Sequence, residues 1–218
     1  MPFSARVYDY LGAASVAVAF CSLFIGRVLN YQLSTVEGTF LERVAAKAEV
    51  WDAAHRWLLV GAVALIPAAL ALRRSFYRKT PKLADVAAAI AVFCAALTVG
   101  QLALDYAMLA AAQSEPPAQQ TIDLLRAMPI VDSAFYKLPN IALLAQVLFA
   151  IAIWKQGPGW RIQAVLVILG VTAIAVGTML GPIGERVALG VATIGYLSVA
   201  WKMVVGNQQF DAREIESA

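Results

Sequence analysis

The chain has 218 residues, 61% of them hydrophobic and only 14% charged, with a formal net charge of +3 and a mean hydropathy of +0.72. A soluble domain is about half apolar and about a quarter charged. The composition therefore excludes an ordinary water-soluble globule, and lipid is the expected solvent for most of the chain.

Arg6 precedes an apolar stretch in the manner of a signal peptide. That stretch continues through Phe24 and Ile25 with no polar break for cleavage, and Phe20 stands where a lipoprotein site would need a small residue. The first segment is read as an uncleaved helix. Six segments in all are long and apolar enough to span: Tyr10–Leu29, His55–Leu72, Leu83–Ala110, Ala134–Trp154, Trp160–Leu180 and Glu185–Val205. The expected fold is all-α: a polytopic integral membrane protein, a six-transmembrane-helix bundle forming a single domain over residues 1–218. Its last residues, GNQQFDAREIESA from 206, are expected to form a short disordered cytoplasmic tail.

Between the first two spans lies STVEGTFLERVAAKAEVWDAAH. Ser34 with Glu37, or Thr39 with Glu42, has the spacing of a capping box. Leu41, Val44, Ala48 and Trp51 then recur at helical spacing. This predicts an amphipathic helix on the membrane surface, or an extension of the second span above it. Asp52 and Arg56 are four apart, in the order that favours a helical ion pair. The next connection, RRSFYRKTPK, holds Arg73, Arg74, Arg78, Lys79 and Lys82 with no acid. The third, beginning QSEPPAQQ and carrying Glu115, Asp123 and Asp132, has a Pro-Pro break. Thr121 is expected to cap a short helix bearing Ile122, Leu125 and Met128, which Pro129 ends. The fourth carries Lys155 and Arg161, and the fifth is a tight Gly181-Pro182-Ile183-Gly184 turn.

The basic loops are read as a topology signal and not as a nucleic-acid surface. They place the second and fourth connections and both termini in the cytoplasm of a cell with an inner membrane, and the two long connections outside, as amphipathic helices over the outer end. Tyr31, Trp51, Trp57, Tyr106 and Tyr136 map to the outer boundary, and Tyr8, Tyr10, Tyr77, Trp154, Trp160 and Trp201 to the inner one. Two belts are what amphipathic rings form at headgroup level.

Polar residues inside the spans carry the functional signal. Cys94, Thr98, Gln101 and Asp105 follow spacings of four, three and four, and so share one helical face. A carboxylate and an amide on one stripe belong in the bundle interior, because hydrocarbon exposure is costly. Ser15, Ala19, Ser22, Gly26 and Asn30 form a matching small-residue face on the first span, read first as a packing surface. Lys137 and Asn140 share a face of the fourth span, with Pro139 loosening its first turn. The lone histidine, His55, stands where the second span begins, one turn after Asp52. His55, Asp105, Gln101, Asp52, Asn30, Lys137 and Asn140 are therefore the candidate ligand-binding residues, grouped at the outer end. His55 is expected to join a polar cluster with Asp105 or Asp52. Gln101, a turn deeper than Asp105, suggests a narrow vestibule open to the outer face.

Other features read as structural. Pro67 removes a backbone donor within the second span and frees the carbonyl of Val63. Gly170, Gly177 and Gly181 mark close packing of the fifth span. Cys21 and Cys94 are buried small groups. No cysteine–histidine spacing resembles a zinc site, one histidine cannot supply both ligands of a bis-histidine haem, and no cofactor is expected. No phosphate loop, dinucleotide fingerprint or nucleophile motif is present. Three functions stay open: a binding or transport-type membrane protein; a non-catalytic accessory or structural subunit docking a partner protein through its outer helices; and an enzyme using His55 with Asp105 or Asp52 as an acid–base pair. Expected partners are the lipid bilayer and a small-molecule ligand or partner protein on the outer face.

Overall fold

Hydrocarbon offers no hydrogen bonds, so a chain this apolar satisfies its backbone internally, and every regular element among the described residues is helical. The computed structural model describes residues 3–114 and 118–216, leaving aside the side chains at 3–6, 119, 177–182 and 206–216. The helices are α1 Phe3–Asn30, α2 Phe40–Ala46, α3 Ala48–Tyr77, α4 Pro81–Ala112, α5 Gln119–Ala127, α6 Pro129–Val131, α7 Ala142–Trp154 and α8 Arg161–Glu216. Six stretches are long and apolar enough to cross a membrane: Val7–Thr35, Ala48–Tyr77, Pro81–Ala112, Pro129–Trp154, Pro158–Val176 and Ile183–Val205. The protein is thus an all-α, multi-pass membrane protein, as its sequence predicts.

The helices differ in detail from the expected spans. With 30 residues α3 is about 45 Å long, against a hydrocarbon core of about 30 Å. It begins at Ala48 and not at His55, because Trp51 and Ala54 continue its apolar face and are buried. The fourth span is regular α-helix only from Ala142; before it come a π turn over Asp132–Lys137 and a 3-10 turn over Leu138–Ile141. Pro139 causes the break, since it has no N–H to bond a carbonyl one turn back. The 206–216 segment, expected to be disordered, continues as helix. Propagating a helix already nucleated is easy, and Ala212, Arg213 and Glu214 are good helix formers. Gly177 and Gly181 of the fifth-span stripe fall outside the described side chains.

Helical backbone runs without a break from Arg161 to Glu216, yet α8 is a hairpin of two spans. A Cβ on Gly170 would lie 2.5 Å from the backbone nitrogen of Ala192, and one on Gly195 would lie 3.0 Å from that of Val167. A straight helix would hold residues 170 and 192 about 33 Å apart. The expected sharp turn at 181–184 is therefore a bend within one helical run. Gly170 is a close-packing position, as its sequence context predicts.

Around the bundle, α1 packs on α3 and α8, α3 on α4, α4 on α7, and α7 on α8, which closes a ring. The main core lies inside it. Val16, Leu72, Phe76, Ile153, Val167 and Tyr196 are among its fully buried members, and Phe20 stacks on Tyr196 at 3.7 Å between centroids. Facing away from the ring, Val63, Leu70, Phe93, Ile162, Val187 and Trp201 are exposed, a continuous apolar surface that lipid covers. Tyr8, Tyr10, Tyr77, Trp154 and Trp201 are exposed near the basic end, consistent with a belt. Trp51 and Tyr136 depart from the belt expectation and turn inward, Trp51 to 4% exposure.

The α1–α3 seam is built on missing side chains. A Cβ on Gly61 would lie 2.7 Å from Cγ of Leu23 and 2.9 Å from its backbone nitrogen; one on Gly26 would lie 2.9 Å from the carbonyl oxygen of Ala54. Backbone cannot yield as a flexible side chain can, so Gly61→Val should separate the two helices. The expected cost is about 1–3 kcal/mol, the usual penalty of overpacking, read as a lowered melting temperature in nanodiscs. Gly159→Ala, whose Cβ would meet nothing closer than Lys202 Nζ at 3.7 Å, should melt as wild type. Equal melting of both variants would refute the seam.

Candidate functional site

The two long connections fold over one end of the bundle and create a space there. Thr39 caps α2: its hydroxyl accepts from the backbone N–H of Glu42 at 3.4 Å, while the Glu42 carboxylate accepts from the Thr39 N–H at 2.7 Å. Of the two expected capping boxes, the Thr39–Glu42 pair forms; Ser34 instead donates to the carbonyl of Tyr31. The Thr39 backbone N–H, then its hydroxyl, hold the Glu42 carboxyl below its usual pKa. This cap is therefore fully formed above the ordinary carboxylate pKa and is lost as pH falls through the lowered one. Lys47 Nζ donates to the Gln32 carbonyl at 3.0 Å and the Thr35 hydroxyl at 3.2 Å, tying the loop to α2. Both alternatives for this segment are realised: α2 is a separate surface helix, and α3 extends up to meet it.

The roof has its own apolar core. Leu33, Leu41, Val44, Trp51, Met108, Ala112 and Ile122 are buried together, joining the first connection, α3, α4 and α5. Ile122 carries the α5 contribution. Thr121 does not cap α5, which starts at Gln119 after an uncapped Ala118, and Met128 is exposed. Pro129 does follow the end of α5. Glu115 and the Pro-Pro pair at 116–117 lie outside the described residues.

Beneath the roof is a cavity of about 310 Å³ between α1, α2, α3, α4 and α5. Its polar lining includes Asn30, His55, Thr98, Gln101 and Asp105, with Arg27, Arg43 and Arg126. Thr98 lies two turns below Asp105 on α4, a depth of about 10 Å. The helical stripe read from the sequence therefore faces the interior. Cys94 continues it downward, buried with its thiol 3.8 Å from the Leu138 carbonyl oxygen. The lining is partly apolar: Leu23, Leu58 and Leu102 line the cavity and also belong to a packed cluster joining α1, α3 and α4.

His55 and Asp105 meet in the wall. Nε2 of His55 is 3.5 Å from Oδ2 of Asp105, and both side chains are buried. Tyr136 donates to the other Asp105 oxygen at 3.2 Å. Nδ1 of His55 is 2.8 Å from the carbonyl oxygen of Trp51, one turn back on α3. A carbonyl only accepts, so Nδ1 carries a hydrogen. Nε2 then faces the carboxylate oxygen across 3.5 Å. The indole of Trp51 lies against the imidazole at 3.7 Å between centroids.

The remaining candidates lie elsewhere. Asp52 accepts from Arg56 Nε at 3.1 Å and from the Tyr106 hydroxyl at 3.4 Å, so His55 pairs with Asp105 and not with Asp52. Lys137 pairs with Asp132 and is mostly exposed. Asn140 donates to the Tyr136 carbonyl. None of these three lines the cavity; Lys137 and Asn140 fall in the π and 3-10 turns that open the fourth span and not in the α-helical register expected from sequence. Asn30 does line it. What sequence reasoning passed over are the arginines. Arg27 was visible as a charge inside an apolar run, whereas the approach of Arg43 and Arg126 depends on two loops folding over one another. Arg126 lies over the rings of Phe40 at 4.6 Å and Tyr136 at 5.3 Å, which fixes it at the rim. Among the described residues no group of three histidine, cysteine or acidic side chains is placed to hold a metal.

The His55–Asp105 pair should be coupled. His55→Ala and Asp105→Asn each leave a buried polar partner behind, at about 1–3 kcal/mol, and the double variant should lose less than their sum by about 0.5–3 kcal/mol. Unfolding melts of the four proteins in nanodiscs measure this, and strict additivity would contradict the contact. No protein-family model matches the chain, and neither does any curated protein or solved structure, so the functional reading rests on this cavity and its chemistry.

Proposed function

We propose that this is a membrane protein of binding or transport type, taking a small molecule into the roofed cavity, and that the roofed end faces outward. The observation that carries the reading is depth. Polar side chains line the cavity two turns down α4, to Gln101 and Thr98, where a packing role alone would favour apolar residues. Ligand sites are concave and largely apolar, with a few convergent polar groups, and the lining has this balance. Transport would also require the packed cluster of Leu23, Leu58 and Leu102 to part. The outward orientation is supported by the basic residues of the opposite end, where Arg73 pairs with Asp85 and Lys79 donates to the Gln156 carbonyl.

A second reading, a non-catalytic accessory subunit, draws on Leu124, Met128 and Ile130, which are exposed on the roof and would suit a partner protein. An acid–base role for His55 has less support, because both ring nitrogens already face protein acceptors.

Cysteine labelling in a background lacking Cys21 and Cys94 tests the first reading. A small membrane-impermeant thiol reagent added to intact cells should modify Gln101→Cys, and should reach Lys79→Cys only after permeabilisation. Ala87→Cys, in the main core, should stay unmodified throughout. Protection of Gln101→Cys even after permeabilisation would sink the cavity reading. Labelling of Gln101→Cys only after permeabilisation, with Lys79→Cys labelled from outside, would reverse the orientation.

A further inference from the structure

The charge lining the cavity is mostly of one sign. Its charged lining is three guanidinium groups and one carboxylate. The carboxylate, Asp105, is contacted by His55 and accepts from Tyr136. Among the described residues, none of Arg27, Arg43 and Arg126 has a carboxylate within 4.0 Å. Glu185 is the nearest offset: it interacts electrostatically with Arg27 and Arg186 but does not line the cavity. Three lining groups hold a buried atom with no partner among the described residues: the donors Nε of Arg43 and Nε1 of Trp51, which is only 4% exposed, and the acceptor Oδ1 of Asn30. Neither of the two donors can accept a hydrogen bond. A buried donor without an acceptor is costly, and native proteins leave few of them. A cation is disfavoured here, since the single carboxylate is already contacted by His55 and Tyr136 and three positive groups repel it. The remaining wall is apolar, from Leu23, Leu33, Phe40, Val44, Leu58 and Leu102.

We infer that the ligand is an organic anion, with a carboxylate or phosphate held by Arg43, Arg126 and the Trp51 N–H, and an apolar body against the leucines. The inference rests on the ligand-binding reading above and adds the charge and shape of what binds. Guanidinium forks match the oxygen geometry of both anions. A cavity of about 310 Å³ equals roughly ten water molecules of liquid volume, which suits one headgroup or one small aromatic acid. The same chemistry is offered by an anionic lipid headgroup entering from the bilayer and by a free anion entering from solution.

The test uses the full chain in phosphatidylcholine nanodiscs and reads the melting temperature during titration with phenyl phosphate, benzyl alcohol or benzyltrimethylammonium. A parallel series replaces part of the phosphatidylcholine with phosphatidylglycerol. The expected result is saturable stabilisation by phenyl phosphate or by phosphatidylglycerol, the first identifying a free anion and the second a lipid. Arg126→Gln, a rim substitution that leaves the core intact, should weaken the response about tenfold or more, as should Arg43→Gln, since charge-assisted hydrogen bonds are the strong ones. An anion response unchanged in both arginine variants overturns the inference. Saturation by the neutral or cationic probe alone also overturns it, while leaving the ligand-binding reading in place. Failure of every probe and of the lipid overturns both.

Discussion

The roofed end of this bundle is organised by one buried contact, between the imidazole of His55 and the carboxylate of Asp105. Neither group can be left alone at that depth, since an unpaired ionisable side chain in a low-dielectric surround is costly. Their requirements fix the neighbours. α3 must be helical back to Trp51 so that its carbonyl can take the Nδ1 hydrogen, which is why α3 rises beyond the span its hydropathy marks. The fourth span must bring Tyr136 across to the second carboxylate oxygen. The α4 glycine at 100 allows this, because the ring of Phe135 occupies the space a Cβ would need, at 2.6 Å.

With the carboxylate of Asp105 held by His55 and Tyr136, the other charged groups lining the cavity are its arginines. Arg27 comes from a span, Arg43 from the surface helix α2 and Arg126 from α5. Three separate elements thus deliver one sign of charge to one space. In a low-dielectric setting such charges act over longer range and are screened less by salt than they would be at a free surface. The roof is held by a small core around Leu41, Val44, Trp51 and Ile122, whereas the lower bundle has a much larger one.

The sequence made the spans legible because length and hydropathy are local properties. The stripe of Thr98, Gln101 and Asp105 was legible for the same reason: helical periodicity alone puts the three on one face, and a carboxylate there must turn inward. The pairing of His55 was half legible, since its level in the membrane was clear but two acids competed for it. Asp52 was already committed to Arg56, four residues on, by ordinary helical geometry. The misplacement of Lys137 and Asn140 has a definite cause. Pro139 signals a disturbed turn, but not that Lys137 would end a π turn and Asn140 fall in a 3-10 turn, neither of which keeps the α-helical register. The arginine convergence was not legible at all, because it depends on the three-dimensional path of two connections whose ends are far apart in sequence.

His55 is the single histidine in the chain, so selective ¹⁵N-histidine labelling gives a nuclear magnetic resonance signal that needs no assignment. The nitrogen shifts distinguish a protonated from a bare ring nitrogen. The account predicts that Nδ1 carries hydrogen at neutral pH in the folded protein, and that Asp105→Asn changes the Nε2 signal while leaving Nδ1 protonated. A neutral ring protonated at Nε2 with a bare Nδ1, or a spectrum indifferent to Asp105→Asn, would contradict it.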